Sequence, residues 1–113
     1  MVTGNKEFSR KLEKRTLTFG VEIIKLSAAL PNTPEGNVVR NQITKSGTSI
    51  GANYHEANRA RSNSDFKNKI KICESEASET FYWLKIIKQM NWLNVEKTKP
   101  VLKECNELIA IYT

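Results

Sequence analysis

Apolar residues recur along this chain at steps of three and four, the spacing that lines one face of a helix, and seldom alternate with polar ones as strand residues do. Leu12, Phe19, Ile23, Leu26 and Leu30 form the first stripe, with Leu17 and Ile24 widening it. They predict a helix over about 8–30, stopped at Leu30-Pro31 because the residue before proline avoids the helical region. Thr33-Pro34-Glu35 then reads as a cap, a first-turn proline and an acid suited to the helix dipole. The helix it opens is predicted over 34–59, with Val39, Ile43, Gly47, Ile50, Tyr54 and Ala57 inward. A third, over 63–91, follows the caps offered by Ser62-Asn63-Ser64 and carries Phe66, Ile70, Cys73, Ala77, Phe81 and Leu84. A fourth, over 95–112 behind Asn94, carries Val101, Cys105, Leu108 and Tyr112, with Leu102 and Ile109 beside them. Pro100 in its second turn either delays the regular helix or leaves one carbonyl free. Short joints force neighbours to run antiparallel, so the pattern predicts one all-α domain over 1–113, an up-down-up-down four-helix bundle.

Two local features add to this outline. Gly47 and Gly51 each cost about 1 kcal/mol against alanine in a helix interior, and Thr44, Ser46, Thr48 and Ser49 are weak helix formers. Such a stretch implies close backbone approach, with Gly47, Gly51 and Ala52 as the contact points; a local bend is the alternative. The third helix carries a second apolar set, Ile72, Trp83, Ile86 and Met90, well off its core stripe. A bundle buries one stripe per helix, so these residues predict a homo-oligomer contact; a covering terminus or loop is the alternative. Glu76 and Glu79 edge this set and are expected to pair with basic residues of the first two helices.

Composition narrows the classes. At 113 residues the chain has room for one core without disulfides or metal. Cys73 and Cys105 fall on apolar stripes and read as free buried thiols, with a bridge between two helices as the alternative. No apolar run reaches membrane-spanning length and no apolar segment follows the N-terminal charges, so a reducing cytoplasm, away from membranes, is expected. The net charge is +6, and the excess lies in residues 1–61, with ten Lys/Arg against five acids. That balance permits phosphate-rich partners.

No enzyme signature emerges. The single histidine, His55, has no nucleophile at a diagnostic spacing. Glu56, Glu76 and Glu79 lack the histidines of a bundle-core metal site, and no glycine loop cradles phosphate. Neither catalytic residue, metal nor cofactor is expected. The remaining signal is basic: Arg59 and Arg61 close the second helix, Lys67, Lys69 and Lys71 open the third, and Lys45 is placed with them around one joint, where Asn58, Asn63 and Ser64 add donors. The joint shows no interleaved aromatics, so base stacking is not expected.

At the second helix the text becomes recognisable. Gln42-Ile43, then Ser49-Ile50-Gly51-Ala52-Asn53-Tyr54-His55-Glu56-Ala57-Asn58-Arg59-Ala60-Arg61, then Ser64-Asp65-Phe66 and the later Glu79-Thr80 and Leu84, resemble the bacterial four-helix-bundle family named for proteins encoded in intervening sequences of 23S ribosomal RNA genes. The similarity runs over about residues 8–112. It implies a four-helix bundle assembled as a ring-like pentamer. It also implies kinship with the accessory variability determinant of diversity-generating retroelements, which partners a reverse transcriptase and binds nucleic acid through a basic surface. By position, Asn53, Glu56 and Glu79 match the family's recurrent polar residues, implying structural ties between the second and third helices or at the subunit contact. Arg59 and Arg61 match the basic end of the motif. The chain departs from many relatives at His55-Glu56-Ala57, where they carry Ala-Glu-Gly, and from others at Thr44-Lys45, where they carry paired arginines. Two functions stay open: an oligomeric nucleic-acid-binding accessory factor, and a protein-interaction scaffold without nucleic-acid affinity.

Overall fold

The computed structural model describes residues 5–113; residues 1–4, included in the single-domain reading, lie outside it. Side-chain caps of one geometry start each described helix. Asn5 accepts from the Phe8 amide, Thr33 from Gly36, Ser62 from Asp65 and Asn94 from Lys97. They open α1 (Lys6–Ala28), α2 (Pro34–Ala57), α3 (Asn63–Met90) and α4 (Val95–Tyr112). The boundaries fall within about two residues of those predicted, because caps and prolines carry them. Asn91 ends α3 in the left-handed conformation at φ 54°, which asparagine tolerates better than most residues. Pro100 lies inside a continuous α4, on its exposed side, so the helix runs through and leaves the Glu96 carbonyl without its usual donor.

The helices pack as an antiparallel bundle of 44 × 24 × 19 Å. Ile23, Ile43, Ile50, Leu84, Ile87 and Leu108 are sealed from solvent at its centre, each contributing about 1.5–3 kcal/mol by burial. Tyr54 and Tyr112 meet edge to face at 5.7 Å between ring centres. The α1–α2 contact is as close as the glycines predict. A Cβ on Gly47 would stand 2.7 Å from Ile23 Cγ2, and one on Gly51 would stand 3.1 Å from Thr16 Oγ1. Ala52 is the exception: it follows Gly51 but is exposed, lining the groove beside the contact. On the other side of α2, Thr80 donates to Ser46 at 2.9 Å across the α2–α3 seam. The seam between α1 and α4 is the slightest, and Arg15 bridges it by donating to Glu104 at 2.6 and 2.7 Å and to Glu107 at 2.7 Å.

Cys73 and Cys105 are free and buried. Each thiol donates across a seam, Cys73 to the Ile50 carbonyl and Cys105 to the Ala77 carbonyl. Burial pushes both thiols up to about 12.

Two outward features differ from expectation. Leu17 and Ile24 do not widen the core stripe of α1; they are 68% and 49% exposed and, with Val21, stand opposite it. The second apolar set of α3 is divided. Trp83 and Ile86 are half-buried against their own bundle, Ile72 is half-buried, and Met90, like Tyr82, is exposed. A helical wheel gives the direction of a side chain but not how far the neighbouring helix reaches around to cover it.

Candidate nucleic-acid interface

Up-down-up-down order brings the start of α1, the end of α2 and the start of α3 to one end of the bundle. They line an open hollow of about 720 Å³ at the α2–α3 joint. Lys6 enters from α1, Arg59 and Arg61 from the joint, and Asn58, Asn63 and Phe66 from the two helices it connects. One carboxylate, Glu13 of α1, also lines it.

Glu13 organises this end. It accepts from Asn58 Nδ2 at 2.7 Å and lies 3.4 Å from His55 Nδ1 and 3.9 Å from Arg59 Nη1. Arg59 also donates to the His55 carbonyl at 2.9 Å. Arg59 is therefore held against its own bundle. Lys6 and Arg61 have no hydrogen-bond or ion-pair partner among the described residues, so their charges remain available.

The structure does not gather every basic residue assigned to the joint. Arg59 and Arg61 are there. Lys45 is not: it sits 14 residues before Arg59 on α2, roughly 21 Å along the axis, with its charge acting on Glu76. Lys67 and Lys71 are exposed one turn apart on α3, outside the lining. Lys69 is half-buried, about 200° around α3 from Lys67, and its charge reaches Cys73. The reading missed Lys6, Glu13 and Phe66. Antiparallel order alone places the first turns of α1 beside the α2–α3 joint, so Lys6 and Glu13 were within reach of the sequence. Phe66 was assigned to the core; it packs there and also lines the hollow, so the joint does contain an aromatic ring.

The expected polar ties also need correction. Glu76 and Glu79 form no ion pair among the described residues. Glu79 accepts from the Trp83 indole at 3.1 Å on its own helix. Burial pushes the Glu76 carboxyl up, Glu79 adds to this and Lys45 opposes it. Asn53 does not tie α2 to α3; it donates to the Ser49 carbonyl within α2 at 2.8 Å. Glu56 is exposed and has no partner among the described residues.

A second concavity, about 480 Å³, runs between α1 and α2 on the outer face. Gly20, Thr48, Gly51 and Ala52 line it, and Leu17, Val21 and Ile24 form one rim. Among the described residues, no group of three or more His, Cys, Asp or Glu is placed to hold a metal ion, and no helix is long and apolar enough to cross a membrane.

Among curated proteins none matches the chain. A solved structure from Bacteroides thetaiotaomicron, described as a protein with unknown function from the S23 ribosomal protein family, is similar: 36% identity, a TM-score of 0.82, and coverage of 88% of this chain and 93% of that one. The family model described as 23S rRNA-intervening sequence protein matches residues 7–113. With nearly the whole chain matched by that model, and the same bundle in a relative of more than a third identity, the chain belongs to the 23S rRNA-intervening sequence protein family.

Proposed function

We propose that this chain is a non-enzymatic, cytoplasmic, oligomeric accessory protein that holds nucleic acid by its phosphates at the α2–α3 end of the bundle. One observation carries the reading: Lys6 and Arg61, from separate elements, line one hollow with no carboxylate or carbonyl among the described residues taking up their charge. The net charge of +6 adds a sequence-independent attraction that salt screens. Exposed Tyr82 and Met90 beside half-buried Trp83 and Ile86 offer a sister subunit an apolar strip on α3, and the pentamer implied by resemblance is the assembly proposed.

The test is retention of RNA and DNA as salt is raised, alongside molecular mass by light scattering. Wild-type protein is expected to bind as an oligomer at low salt and release steeply. A Lys6→Ala/Arg61→Ala variant is expected to keep its mass and melting temperature while the salt slope falls by about 2, one for each lost phosphate contact. Equal binding by wild type and variant would overturn the site.

A protein-interaction scaffold is the second reading, with a reverse transcriptase as the partner class brought by resemblance. What favours it is the apolar groove between α1 and α2 with its exposed Leu17, Val21 and Ile24 rim. Oligomer without salt-dependent nucleic-acid binding is its signature.

A further inference from the structure

We infer that the hollow at the α2–α3 joint takes one nucleotide of a single strand, its phosphate between Lys6 and Arg61 and its base against Phe66. The inference rests on the nucleic-acid reading above and narrows it from phosphate backbone in general to unpaired nucleic acid.

Shape is the first argument. A duplex presents its phosphates on a convex cylinder and suits a flat or ridged basic surface. Here two cations unpaired among the described residues line an open depression of about 720 Å³ where three helix ends meet. A splayed nucleotide enters such a space and a paired one does not.

The lining is the second argument. Phe66 is half-buried, anchored on the core and open to the hollow, so its ring is held in place before any ligand arrives. Aromatic rings held this way are what single-strand binders offer to bases, and they accept any base because every base has a π face. The Asn63 side chain has no hydrogen bond among the described residues, leaving its amide donor and acceptor for a base edge. Asn58 gives its amide N–H to Glu13 and keeps its carbonyl oxygen.

Charge is the third. Glu13 would repel a phosphate, but Arg59 at 3.9 Å lies against it, and Lys6 and Arg61 bring two further positive charges to the same lining. Cations, amides and an aromatic ring in one lining suit a ligand with both an anionic and a flat apolar part. Inorganic phosphate alone satisfies only the first.

The experiment compares fluorescence anisotropy of labelled single-stranded RNA and DNA of about 12 nucleotides, within the usual range of such sites, with the matching duplex at low salt. Wild type, Phe66→Leu, Asn63→Ala and Arg61→Ala proteins are each checked for folding by circular dichroism. Single strands are expected to bind at least about tenfold tighter than duplex, and Phe66→Leu to remove most of that preference while leaving duplex binding unchanged. Asn63→Ala, an exposed position that keeps the question answerable if the leucine variant unfolds, is expected to weaken single-strand binding about threefold, and duplex binding not at all. Equal affinity for both forms, lowered equally by Arg61→Ala and untouched by Phe66→Leu and Asn63→Ala, would overturn this inference and leave the phosphate reading standing. Failure of wild type to bind either form would remove the phosphate reading, and this inference with it.

Discussion

The two ends of the bundle use arginine in opposite ways. At the α1–α2 joint, Arg40 is fully committed to structure. Its Nε donates to the Ser27 carbonyl at 3.0 Å, its Nη2 to the Leu30 and Pro31 carbonyls at 2.6 and 3.2 Å, and its Nη1 to the Asn37 side chain. The Leu30 and Pro31 carbonyls lie just past the end of α1, the Ser27 carbonyl also accepts from the Leu30 amide at 3.2 Å, and one planar fork draws all three together. At the α2–α3 joint, Arg59 is partly engaged by Glu13, and Arg61 has no partner among the described residues. A basic residue at a joint is therefore not a ligand contact by virtue of its charge. What distinguishes the ends is how many acceptors the protein itself supplies.

This contrast can be broken or sharpened by substitution. The largest effect is expected at Gly36, the third residue of α2, where an added Cβ would collide with the Pro31 carbonyl oxygen. Gly36→Ala is expected to cost about 3 kcal/mol and lower the melting temperature by about 10 °C or more, read by thermal denaturation. Arg40→Ala comes next, at about 2 kcal/mol, since three carbonyls lose a charged donor. Arg40→Lys should recover less than half, because an ammonium cannot reproduce the fork. If Arg40→Ala proves neutral, the structural role assigned to that end is wrong. At the other end, Glu13→Gln is expected to free Arg59 and raise single-strand affinity about threefold at low salt, with little change in melting temperature.

The smallest effect concerns a carboxylate without Glu13's partners. Burial and Glu79 raise the Glu76 carboxyl above its ordinary 4.5. The folded state then holds its proton more tightly than the unfolded one. The associated stability is complete below about pH 4.5 and is lost as pH rises through the folded value. Glu76→Gln should therefore raise the melting temperature by about 2 °C at pH 7 and leave it unchanged at pH 4.

Much of the bundle was legible because its determinants are local. Four caps, Leu30-Pro31 and the three-four spacing fix where helices begin and which way they face, and Gly47 and Gly51 announce a close approach by their low propensity. What was not legible depends on reach across space. Leu17 and Ile24 look like extensions of a core stripe until the position of α2 is known. Lys45 belongs to the joint only if fourteen residues of helix are ignored, and the engagement of Arg59 depends on Glu13, distant in sequence. Phe66 serves the core and the hollow at once, a double placement that periodicity registers only as burial. The likeness at Asn53 and Glu56 suggested ties between helices or at a subunit contact; within the bundle, Asn53 bonds to its own helix and Glu56 faces solvent.

The cysteines make the seams chemically addressable. Cys73 lies where α3 meets α2, Cys105 where α4 meets α3, and each thiol is capped by a carbonyl of the neighbouring helix. With both pushed up to about 12, almost no reactive thiolate exists at neutral pH while the helices stay together. An alkylating reagent thus becomes a pair of stopwatches, one per seam, whose rates tell whether the bundle opens all at once or sheds α4 first.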